Sequence, residues 1–177
     1  MSQRKYQVRR LVYGAVCLAL ALVLPFVAGQ IPTVGKMLCP MHLPVLLAGF
    51  IVGPWWGVAV GFIAPILRHL LFTMPPYPSF VAMAFELATY ALTCGLLYRH
   101  TPKKRGSIYL ALLVAMLLGR IVSGVAMAIL MGLAGKAYGF AAFFAANFTN
   151  SIPGIILQIA LLPPIVMALE KAGITDK

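Results

Sequence analysis

The chain holds 177 residues, 62% of them apolar and 10% charged, with 14 Lys and Arg against 3 Asp and Glu. A soluble domain is about 45–50% apolar and about 25% charged, so this composition excludes one; the absence of a P-loop sequence excludes ATP hydrolysis by this chain alone. The formal charge of +11 sits in short clusters between long uncharged stretches, a pattern of membrane topology and not of nucleic-acid binding.

About 20 apolar residues cross a hydrocarbon core roughly 30 Å thick, which sets the elements. The basic segment Met1 to Arg10 followed by Leu11 to Gly29 imitates a signal peptide. The apolar stretch is longer than a signal's core and Gln30-Ile31-Pro32 offers no small-x-small cleavage site, so 11–29 is a retained first span. No formal charge stands between Lys36 and Arg68, and Gly53-Pro54 divides that stretch into a short second span, 41–53, and a third, 55–73. Thr73-Met74-Pro75-Pro76-Tyr77-Pro78 must be a loop. The fourth to sixth spans are 79–98, 107–131 and 143–169, the last two joined through the glycine-rich segment 132–142. The expectation is an all-α membrane protein of six transmembrane helices in a single domain, 1–177.

Charge supports the even count. Arg4, Lys5, Arg9, Arg10, Arg99, Lys103, Lys104, Arg105, Lys171 and Lys177 fall on one side if both termini are cytoplasmic, leaving Lys36 and Lys136 outside. Cys17, Cys39 and Cys94 are far apart, with no CxxC and no paired His at ligand spacing, so they read as small apolar fillers; no metal, disulfide or cofactor is expected.

With this topology the buried polar residues converge in the outer half of the membrane. Arg68 and Arg120 each stand about 20 Å above the inner ends of their spans, Glu86 about 10 Å below the outer start of its own. Asn147, Asn150, Ser151, Gly154 and Gln158 share one face of the sixth span; Arg120, Ser123 and Gly124 share one of the fifth; Glu86 and Tyr90 share one of the fourth. One account is structural, with Glu86 neutralising an arginine and the amides bridging helices. The other is a polar chamber in which two arginines outnumber one carboxylate and receive an anionic ligand. His42 begins the second span beneath the first outer loop, Gln30 to Met41, and is either a ligand contact or a helix-end hydrogen-bonding residue. His69 points about 100° away from Arg68 and cannot join it. Ala15 and Ala19 form AxxxA, and Gly57 and Gly61 form GxxxG, both permitting close helix approach within this chain or with a partner.

Met41-His42-Leu43-Pro44-Val45-Leu46-Leu47-Ala48-Gly49-Phe50, the Gly53-Pro54 turn followed by Gly57 and Gly61, Pro65, Thr73-Met74-Pro75-Pro76 and Phe85-Glu86-Leu87-Ala88-Thr89-Tyr90 together resemble the substrate-binding S component of an energy-coupling factor (ECF) vitamin transporter. The resemblance runs over nearly the whole chain. It implies the six-helix S-component fold in a prokaryotic plasma membrane, a small-molecule vitamin ligand, and partners in the form of a transmembrane coupling subunit and two cytoplasmic ATPases. It also implies that Ala15 and Ala19 face the coupling subunit, as in the similar first-helix motif of such proteins, and that the subunit topples to deliver its vitamin. Within the family the sequence most resembles the pantothenate branch; a carboxylate suits the surplus arginine, and hydroxyl and amide groups suit Asn147 and Asn150. The expected binding set is Arg68, Glu86, Tyr90, Arg120, Asn147, Asn150 and His42. Folate, thiamine or pyridoxine types are alternatives, as are a stand-alone carrier and a small membrane enzyme; no catalytic cluster at general-base or metal spacing favours the enzyme.

Overall fold

A computed structural model describes residues 3–27, 38–102 and 105–175, and every element in it is helical. The helices are α1 (Gln3–Val27), α2 (His42–Ile51), α3 (Pro54–Phe72), α4 (Ser79–His100), α5 (Arg105–Leu133), α6 (Phe140–Asn147) and α7 (Ile152–Lys171), with a 3-10 turn at Thr149–Ser151 before α7. Most of the first outer loop, with Lys36, lies outside the described residues, as do Lys103, Lys104 and Lys177. Five helical stretches are long and apolar enough to cross a membrane, the last being α6 and α7 taken together, while α2 is a shorter apolar helix. Large apolar side chains stand exposed on them, among them Val12, Val16 and Val23 of α1, Leu113, Leu117 and Ile129 of α5, and Ile156 of α7. Such a surface suits lipid and not water.

Glycines set the packing of α2, α3 and α4. Gly53, at φ 85°, takes a conformation open to glycine, and Pro54 starts α3 where its missing N–H costs nothing. The chain therefore folds back, and Gly57 of α3 meets Gly49 of α2. A Cβ on Gly49 would stand 2.8 Å from the Ala91 carbonyl, one on Gly61 2.6 Å from that of Leu87, and one on Gly95 2.7 Å from the Pro54 nitrogen. Backbones so close admit only hydrogen at these positions. Gly57 and Gly61 thus serve packing within the chain, one of the two uses expected of GxxxG.

The same contacts give the register. Gly57 lies beside Ala91, Gly61 beside Leu87, and the His69 ring stacks on Phe80, so α3 and α4 are antiparallel. Cys94 donates to the Ala111 carbonyl and Gly119 abuts Tyr90, which makes α5 antiparallel to α4. Arg9 donates to the Gly173 carbonyl and the Tyr98 hydroxyl to Glu170. The start of α1, the end of α4 and the end of α7 therefore share one end of the bundle, with Arg4, Lys5, Arg9, Arg10, Arg99 and Lys171; this is the basic end. Arg68 and His69 lie toward the opposite end.

Helix stops follow local chemistry. Thr73, at φ 57°, closes α3 with its N–H on the His69 carbonyl, and the His69 Nδ1–H donates to Pro75 O at 2.7 Å, tying down the proline loop. The single helix expected over 143–169 is broken. Pro153 cannot bond back to Thr149 and its ring crowds that carbonyl, so α6 ends at Asn147 and α7 starts anew at Ile152. The i, i+3, i+4 pattern from Asn147 therefore does not describe one helical face.

Candidate functional site

Glu86 is the centre of a buried polar cluster, two turns into α4 from the end away from the basic residues. One helical turn on, the Tyr90 hydroxyl donates to Glu86 Oε1 at 2.8 Å, and Nε2 of His42, at the start of α2, stands 3.4 Å from the same oxygen. The His42 and Tyr90 rings are 5.5 Å apart. Gly119 of α5 makes this possible: a Cβ there would stand 2.1 Å from the Tyr90 ring. Position i+4 brings Tyr90 back over Glu86, as the shared face anticipated.

Arg120 follows Gly119 and is 2% exposed. Its Nη1 donates to the Asn147 carbonyl at the end of α6, a carbonyl with no helical partner. Its Nε and Nη2 have no hydrogen-bond partner among the described residues. These two groups form one edge of the guanidinium, with parallel N–H bonds whose spacing matches a carboxylate. The Phe148 ring lies about 6.0 Å from the Arg120 guanidinium carbon. Phe143 fits the notch at Gly124, where a Cβ would lie 2.0 Å from its ring, and so fixes α6 against α5.

Asn147 is buried, its Nδ2 donating to Phe143 O at 3.0 Å, and the Tyr138 phenol, its pKa raised above the ordinary value by burial, lies beside it. Asn150 is exposed on the 3-10 turn, whereas Asn147, Ser151, Gly154 and Gln158 are buried. Arg68 is buried elsewhere. Its Nη1 donates to Leu22 O at 2.8 Å, and its guanidinium carbon lies 5.1 Å from the Phe26 ring and 5.6 Å from that of Phe72. Pro25 interrupts the hydrogen bonds of this turn of α1, and Arg68 supplies a donor beside the break. Arg68 thus clamps α1 to α3, while Arg120 is the arginine facing Glu86.

Three residues join the cluster without having been singled out as binding groups. The Cys39 thiol hydrogen-bonds Ser151 and lies within electrostatic reach of Glu86 and Arg120, so it is no apolar filler like the core residues Cys17 and Cys94. Its place three residues before His42, at the mouth of α2, was the available signal; the His42 N–H closes that turn on Cys39 O at 3.0 Å. Ser151 also donates to Ala146 O at 3.2 Å. Tyr138 had no signal, because only the folding of the α5–α6 connection brings it in. Ala15 and Ala19 are exposed on α1, on the side away from buried Gly14, Cys17 and Ala21.

A short helix supplying His42 and a last span broken beside Arg120 frame this cluster inside a bundle with a lipid-compatible surface. No curated protein matches the chain. Residues 9–166 match the family described as ECF transporter, substrate-specific component. That match takes in every element carrying the cluster, and the chain belongs to this family of transport subunits, which work with an ECF transmembrane and ATPase module on a small-molecule substrate.

Proposed function

We propose that the chain captures a small anionic vitamin of the pantothenate type and delivers it through an ATP-driven ECF importer. The observation that carries this reading is the buried Arg120 guanidinium, held by Asn147 O on one nitrogen while its Nε and Nη2 edge lacks a partner among the described residues. A ligand carboxylate fits that edge bidentately. Glu86 holds His42 and Tyr90 and offsets the Arg120 charge, and Asn147 sets the guanidinium's direction. Asn150, on the exposed turn, contacts a ligand only if that turn folds inward. Arg68 supports the α1–α3 seam and touches no ligand.

The chain crosses the membrane six times with both termini cytoplasmic. The positive-inside rule and the shared basic end support this, with the short α2 making the second crossing. Ala15 and Ala19, exposed and small, present α1 to the coupling subunit. Reconstitution tests the reading. Purified chain in vesicles should bind pantothenate without accumulating it, and accumulation should require the coupling subunit, both ATPases and ATP. Uptake by the chain alone, or conversion of the vitamin, would make it a carrier or an enzyme instead.

A further inference from the structure

Gln158 is fully buried in α7, and both its Oε1 and Nε2 lack hydrogen-bond partners among the described residues. A buried amide left unpaired is destabilising, and native structures rarely tolerate one without a reason. Pro163 and Pro164 leave the carbonyls of Ile159 and Ala160 in the same helix without their helical donors, and the Gln158 amide bonds to neither. Its stripe of α7 is otherwise apolar on the basic-end side, with buried Leu162 and Val166.

The position lines up with the cluster. Ser151 stands at cluster level through Cys39, which lies within reach of Glu86 and Arg120. Gln158 follows seven residues later, on the same face and about 10 Å nearer the basic end. Gly154 lies on that face between them and puts no side chain in the way, while Ile152 and Ile156 point outward. α7 packs against α5 and α2, the helices that carry Arg120 and His42.

We propose that Gln158 forms the deep end of the binding chamber and hydrogen-bonds a hydroxyl or amide group of the ligand about two helical turns from the carboxylate held by Arg120. This rests on the reading of Arg120 as the anion-holding end, and it defines the ligand class: an extended molecule, anionic at one end and neutral but hydrogen-bonding at the other. Gln158 then sets specificity for the far end, whereas Arg120 sets it for the charge.

Gln158→Met keeps the side-chain size and removes the amide. Ligand-free Gln158→Met should unfold at the same or a higher temperature than wild type, since an unpaired buried amide is lost; a lower unfolding temperature, or failure to fold, would give Gln158 a structural role and overturn the proposal. Calorimetric titration with pantothenate and with its analogue lacking the terminal hydroxyl supplies the second reading. Wild type should prefer pantothenate by about tenfold and Gln158→Met by no more than about twofold. An unchanged preference would also overturn the proposal. Should wild type bind neither probe, the pantothenate reading fails by itself, and the unfolding temperatures alone decide the role of Gln158.

Discussion

At the scale of residues, the two intramembrane arginines have different work. Arg120→Gln should weaken pantothenate binding by about tenfold to a hundredfold, the loss of one charge-assisted hydrogen-bonded contact of roughly 1.5–3 kcal/mol, as read by calorimetry. Arg68→Gln should lower the unfolding temperature and leave affinity within about twofold, because its partners are the Leu22 carbonyl and two aromatic rings. A reversed pattern would exchange their roles. The sequence disclosed Glu86 with Tyr90, and Arg120 with Ser123 and Gly124, through helical periodicity, since these groups lie within unbroken helices. It could not separate Arg68 from the cluster. Depth along a helix is readable from residue counts, but the side of the bundle a residue faces depends on neighbours, and Arg68 faces α1.

At the scale of elements, Gly-to-Gly contacts and proline breaks set the architecture. Gly61→Ala would drive a Cβ to 2.6 Å from the Leu87 carbonyl, where backbone cannot yield as a side chain can. It should cost about 1–3 kcal/mol in detergent unfolding, whereas Gly132→Ala, with nothing within 4 Å of its Cβ, should be neutral or slightly stabilising. Equal effects would mean that the α3–α4 contact is looser than described. The Gly53-Pro54 break was legible because both residues punctuate helices locally. The break before α7 was legible in principle at Pro153, but hydropathy across 143–169 concealed it, and with it the outward position of Asn150. Only tertiary packing shows that α6 ends with its carbonyl on Arg120.

At the scale of the whole molecule, the Arg9–Gly173 and Tyr98–Glu170 contacts gather the start of α1 and the ends of α4 and α7 at one end of the bundle. Cysteines substituted at Arg4 and Lys171 should resist an impermeant label applied outside intact cells, while one at Lys136 should react; labelling of the first two from outside would reverse the orientation. Ala15→Leu should leave ligand binding intact and reduce co-purification with the coupling subunit, since bulk on an exposed small-residue face blocks helix approach. Lost binding with intact assembly would put Ala15 inside this chain's own packing. Pattern and charge made the membrane class and helix order legible, whereas the ligand depends on a few side chains whose meeting no local pattern encodes. The central claim is that a buried, half-satisfied arginine selects an anion. Calorimetric titration of the purified wild-type chain with pantothenate and with its neutral alcohol analogue measures that selection. The acid should bind at least about tenfold more tightly, and equal binding of acid and alcohol would contradict the claim.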